Sequence, residues 1–116
     1  MGSTNLSTTG NLACTQVLTP SDERLKTSIA ELEANLSQLS LLAPRTFTWK
    51  QSSEPDIGFI AQELQRAMPQ LVDDHEGLLH VHYLRLIPYI VKWLQLLHQE
   101  VTKRTESPDS SASIAP

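Results

Sequence analysis

Tyr83-Leu84-Arg85-Leu86-Ile87-Pro88-Tyr89-Ile90-Val91-Lys92-Trp93-Leu94-Gln95-Leu96-Leu97-His98-Gln99-Glu100-Val101-Thr102-Lys103-Arg104 is the longest stretch of helical character in the chain. Leu84, Ile87, Val91, Leu94 and Val101 recur at steps of 3, 4, 3 and 7, and His98 fills the remaining place. That is the spacing of a coiled-coil seam with one polar interruption. Leu86, Ile90, Trp93 and Leu97 widen the apolar surface beyond a narrow seam. A helix apolar over so much of its circumference must be covered on several sides. Partner chains and the core of a single chain are both sources of that cover. Pro88 lacks a backbone donor, so the regular helix is expected to begin near Ile87 with Pro88 in its first turn, or to kink there.

Working back from this helix, Asp73-Asp74-His75-Glu76-Gly77 is turn chemistry, with Leu78 to His82 as a strand behind it. Ala61 to Met68 reads as a helix that stops at Pro69. Ile57-Gly58-Phe59-Ile60 reads as a short buried strand, with Gly58 permitting a bulge or a close backbone approach. Phe47 and Trp49 alternate with Thr46, Thr48 and Lys50, which is a strand signature, and Gln51 to Asp56 is a polar loop. Ser28 followed by Glu31 fits a capping box. Ile29, Leu32, Leu36, Leu39 and Leu42 then form one helical stripe that Pro44 ends. The expected fold class is α+β and mainly helical, with short strands packed on helices and a long C-terminal coiled-coil helix.

The flanks differ in composition. Residues 1 to 20 are rich in Ser, Thr, Asn and Gly and read as an extended arm with one apolar patch at Val17 and Leu18. Residues 105 to 116 read as a disordered tail, leaving 21 to 104 as the folded domain. The formal net charge of −4 and the absence of a polybasic run argue against nucleic-acid binding, which needs clustered Lys and Arg. No apolar run is long enough for a membrane span, and the chain does not open like a secretion signal. The single cysteine, Cys14, cannot make an internal disulfide. His80 and His82 would share a strand face, yet no third ligand stands at a suitable spacing, so no metal or other cofactor is expected.

Ser21-Asp22-Glu23-Arg24-Leu25-Lys26 admits two readings from its residues. One is an N-cap serine followed by a solvated charged turn. The other is a Ser/Lys pair. On a regular helix five residues turn the side chains about 140° apart, so a working pair needs a turn here, or a helix that starts after Ser21.

Pro20-Ser21-Asp22-Glu23-Arg24-Leu25-Lys26 resembles the Ser-Asp-x-x-x-Lys signature that opens the chaperone domain of phage endosialidase tailspikes, related tail fibres and the myelin regulatory factor. Pro44-Arg45-Thr46-Phe47-Thr48-Trp49, Ile57-Gly58-Phe59-Ile60-Ala61-Gln62-Glu63, Pro69-Gln70-Leu71-Val72 and Tyr83-Leu84-Arg85-Leu86-Ile87-Pro88 resemble later family motifs in the same order. His82 stands where the family often has an acid, and only 20 residues precede Ser21, where the family usually carries a long passenger.

The resemblance implies an intramolecular chaperone that forms a homotrimer with a fibre or spike passenger and cuts itself free between Pro20 and Ser21. Ser21 would be the nucleophile and Lys26 the general base. Arg24 would help to lower the basicity of Lys26, and Asp22 should point away or pair with Arg24. Gln62 and Glu63 either approach the cut or, more plainly, form the acidic first turn of a helix. The spacing of Ile87, Val91, Leu94 and Val101 makes them the expected trimer seam. Assembly would take place in the cytoplasm of the producing cell, the passenger would enter a virion tail, and the released domain would be soluble. A trimerisation or adaptor module that never cuts is the alternative; a Ser/Lys hydrolase acting on other proteins is a third reading, for which so short a chain offers no substrate groove.

Overall fold

A computed structural model describes residues 10–106. The chain divides into two compact units, Met1–Ala30 and Glu31–Pro116. The outer parts of the expected arm and tail, residues 1–9 and 107–116, lie outside the described residues.

In the first unit, residues 11 to 20 are exposed and carry neither helix nor strand. Its one element among the described residues is a single 3-10 turn at Glu23–Leu25, for which Asp22 is the N-cap.

The second unit is α+β, with three α-helices and two hairpins among the described residues. The first helix departs from the sequence expectation. Ser28 has φ of +55°, a left-handed conformation, whereas an N-cap residue is extended. The capping box forms instead at Asn35, whose side chain accepts from the Gln38 amide while the Gln38 side chain accepts from the Asn35 amide. Helix α1 is therefore short, Leu36–Leu41. Glu31 is not a capping residue either; it accepts from Lys92 Nζ at 3.2 Å. Leu36 and Leu42 still reach the core, but Leu39 and Leu41 are exposed.

Strands β1, Arg45–Thr48, and β2, Pro55–Gly58, pair antiparallel with Arg45 opposite Gly58 and Thr48 opposite Pro55. The second strand starts two residues earlier than expected and is not buried, since Ile57 is 75% exposed. A two-stranded ribbon has two faces, and here the Ile57 face is left open by the described residues. Trp49 also lies outside, half-exposed, with its ring edge-on to Phe47 and its indole N–H donating to Asp56.

Helix α2, Ala61–Ala67, ends before Pro69, as the proline requires, and a 3-10 turn at Pro69–Leu71 leads into β3, Val72–His75. Strand β4, Leu78–Val81, folds back through Glu76 and Gly77, both at positive φ. Two successive left-handed residues give a two-residue hairpin turn whose twist suits the strands, and Gly77 adopts that conformation without strain. The Gly77 amide donates to Asp74.

Helix α3, Tyr83–Glu106, carries Pro88 inside it rather than in its first turn. It begins four residues before Ile87 because His82 already accepts from the Arg85 amide and closes the first turn. It also includes two residues of the expected tail. Its inner stripe, Leu86, Tyr89, Trp93 and Leu96, packs on Leu64, Met68, Leu71 and Val72 to make the core. Met68 and Leu71 are fully buried. The stripe of Leu84, Ile87, Val91, Leu94 and Val101 remains 48–63% exposed.

Candidate functional site

The Ser21–Lys26 pair is made by local geometry. Asp22 is extended, with φ −64° and ψ 135°, and its side chain accepts from the Arg24 amide at 2.9 Å, which starts the 3-10 turn. The Leu25 amide then donates to the Asp22 carbonyl and the Lys26 amide to the Glu23 carbonyl, each at 3.0 Å. Lys26 leaves the turn in an extended conformation. Six residues are thereby folded back, and Lys26 Nζ lies 2.6 Å from Ser21 Oγ. A regular helix over the same residues would have separated them.

Arg24 forks onto Asp22, with Nε to Oδ1 at 3.0 Å and Nη2 to Oδ2 at 2.7 Å. These bonds hold the Asp22 carboxyl below the usual carboxylate range. The acid thus faces a cation of its own rather than Lys26. Ser21 and Lys26 are both exposed, so this chain by itself does not supply the desolvation that a lysine base requires.

Gln62 and Glu63 belong to the second unit. Gln62 is exposed; Glu63 is paired with Arg45, Nε to Oε1 at 3.0 Å and Nη2 to Oε2 at 2.8 Å. That fork ties the start of β1 to the first turn of α2, and it holds the Glu63 carboxyl below its ordinary range. Nothing in the spacing of Arg45 and Glu63 marks them as partners. Tyr83 is a second contact that periodicity cannot reveal: its hydroxyl accepts from the Phe59 amide at 3.0 Å and closes one side of an open recess of about 800 Å³. Pro44, Arg45, Thr46, Ile57, Gly58 and Phe59 line the rest of that recess.

The two histidines expected on one strand face are separated by the end of β4. His80 stacks edge-on against His75 and contacts the Leu78 carbonyl. His82 pairs with Asp73, whose carboxyl it lowers. Among the described residues no group of His, Cys, Asp and Glu could hold a metal ion, and Cys14 is free and exposed. No helix among them is long and apolar enough to cross a membrane.

No curated protein matches the chain. The model of the Peptidase_S74 family, chaperone of endosialidase, matches residues 21–73. The match begins at the serine of the Ser21–Lys26 pair and runs through both strands of the first hairpin, α2 and into β3. Over residues 21–73 the chain is similar to the chaperone of endosialidase, the family that this model describes.

Proposed function

We propose that the chain is an intramolecular chaperone that assembles as a homotrimer on an N-terminal passenger and then cuts its own Pro20–Ser21 bond. The observation that carries the cut is the 2.6 Å approach of Lys26 Nζ to Ser21 Oγ at the first residues of the family match.

The neutral amine of Lys26 takes the proton of the Ser21 hydroxyl as Oγ attacks the Pro20 carbonyl carbon. The tetrahedral intermediate collapses with loss of the C–N bond, and the proton goes to the departing nitrogen of Ser21. The ester left between the Pro20 acyl group and Ser21 Oγ is hydrolysed by water. The products are a Pro20 carboxylate and a new chain that starts at Ser21.

An amine in water is protonated near neutral pH, and removing water favours its neutral form. Lys26 is exposed in the single chain, so the required exclusion of water has to come from neighbouring copies. The exposed stripe of α3, with Ile87, Val91, Leu94 and Val101, is the surface through which we assign that association. Cutting would then follow assembly, and loss of the chaperone would leave the passenger kinetically trapped.

Intact-mass measurement and N-terminal sequencing of freshly folded protein test the reading. The expected result is loss of the first 20 residues and a new terminus at Ser21. Ser21→Ala and Lys26→Ala should each stay whole and still assemble. A wild-type chain that forms its oligomer with intact termini refutes the cut. The exposure of every residue from Ser21 to Ala30 favours a second reading, a trimerisation module in which Ser21 and Lys26 are only a hydrogen-bonded surface pair. That same result would leave it standing.

A further inference from the structure

We propose that His98 gates the assembly by pH, closing the α3 seam near neutrality and opening it on acidification. The inference rests on the trimer reading above and adds a regulation to it.

The exposed stripe of α3 runs Leu84, Ile87, Val91, Leu94, His98, Val101, an unbroken alternation of three- and four-residue steps. All six are exposed, and five are apolar. On the opposite stripe Leu86 and Trp93 are buried in the chain's own core. His98 is thus the one titratable side chain on a face that is otherwise ready for burial.

When three parallel helices meet through such a stripe, each seam residue faces its two copies. Three His98 imidazoles would then form a layer between a layer of Leu94 and a layer of Val101. A neutral imidazole has one donor and one acceptor nitrogen, so three can satisfy one another around the axis. A protonated imidazole has two donors and no acceptor. Three of them would break that ring and place like charges together between apolar layers.

The surroundings offer no compensation. The recesses on either side of His98 are lined by Val91, Leu94, Gln95, Gln99, Thr102 and Lys103, and the one charge among them is positive. Arg104, six residues on, flanks the seam with a further positive charge, while Glu100 falls on the outward side of the heptad. The assembled state therefore binds fewer protons than the separated chains. Its stability is full above the imidazole range and is lost as pH falls through it. Below the imidazole range, each ring kept neutral by assembly costs the trimer about tenfold per pH unit, or about 1,000-fold for three.

Sedimentation equilibrium on the full chain carrying Ser21→Ala, at about pH 7.5 and about pH 5, tests this, with His98→Ile in the same background as the comparison. The expected result is a trimer at the higher pH that dissociates at the lower one, and a His98→Ile trimer at both. A parent that stays trimeric at low pH overturns the gate and leaves the trimer reading intact. Equal dissociation of parent and variant overturns the gate by assigning the effect to other groups, such as the His82–Asp73 pair. A parent that is monomeric at the higher pH overturns the trimer reading and the gate with it.

Discussion

Replacing Gly58 by alanine should cost stability for one identifiable reason, contact with a single hydroxyl group. A Cβ at position 58 would sit 2.5 Å from Tyr83 Oη, with the next atoms, Phe47 Cε2 and Tyr83 Cζ, at an ordinary 3.6 Å. The hydroxyl is roughly 1 Å inside the ~3.5 Å at which such atoms rest, so Tyr83 must yield. It cannot move freely, because it accepts from the Phe59 amide and its ring lies 6.1 Å from that of Phe59. Overpacking of this kind costs about 1–3 kcal/mol, and the strained hydrogen bond adds about 0.5–1 kcal/mol. Against this, alanine narrows the unfolded ensemble and returns about 0.4–1 kcal/mol. The expected net loss lies between about 0.5 and about 3.5 kcal/mol, with a midpoint of about 2 kcal/mol. In a Tyr83→Phe background the close contact is gone, and the same substitution should be neutral or slightly stabilising. Urea unfolding of the four members of this cycle, in the Ser21→Ala chain at one fixed concentration, measures the coupling. Additive effects, with Gly58→Ala costing as much beside Phe as beside Tyr, would refute the reasoning.

Trp93→Ala should destabilise by about 3–5 kcal/mol, because Trp93 is 2% exposed at the centre of the core, whereas Trp93→Phe should cost far less, since the buried indole N–H has no acceptor among the described residues; equal losses in chemical denaturation would contradict this. Asp22→Ala removes both the cap and the Arg24 fork and should slow the appearance of the Ser21 terminus several-fold, while Asp22→Asn keeps a good cap and should recover most of the rate; a wild-type rate for the alanine variant would separate the turn from the cut. The Glu63 carboxyl is lowered by its fork with Arg45, so the pair stabilises the fold above the ordinary carboxyl range and that contribution is lost as pH falls through the lowered value. Glu63→Gln should therefore flatten the acid limb of stability against pH, and an unchanged limb would show that the fork contributes nothing.

How far the sequence reveals this molecule depends on whether a signal is local. Pro69 marks the end of α2 because backbone restrictions act where the residues stand, whereas of the expected turn Asp73 to Gly77 only Glu76 and Gly77 turn, and Asp73 to His75 pair as β3. The apolar period of α3 marks a long helix and its outer stripe, but the helix starts four residues before Ile87, and the inner stripe runs through Tyr89 and Leu96 where the sequence offers Ile90 and Leu97. The first helix is different. Ser28 and Asn35 each precede a plausible partner at the third residue, and the pattern alone does not choose between them; the left-handed backbone at Ser28 does. Ile57 and Trp49 look like core residues by hydrophobicity, yet a two-stranded ribbon cannot cover both. At the candidate site, the Ser21 and Lys26 identities are legible, but their approach depends on the Asp22 cap, whose effect on side-chain direction no spacing rule contains. Arg45 and Glu63, 18 residues apart, meet only because β1 and α2 are brought together by the hairpin between them.

Pro88 leaves a missing rung in the backbone ladder of α3, since its nitrogen has no hydrogen to offer the Leu84 carbonyl one turn earlier. The helix is thereby divided into a short proximal turn, pinned by the Tyr83 hydroxyl, and a long distal rod that carries Trp93. Amide deuteration should resolve these as two populations, with slow labelling confined to the rod and the pinned turn opening independently of it. A local opening at Tyr83 would then release the Phe59 amide, and the core would feel it only through Leu86, the one core side chain on that turn.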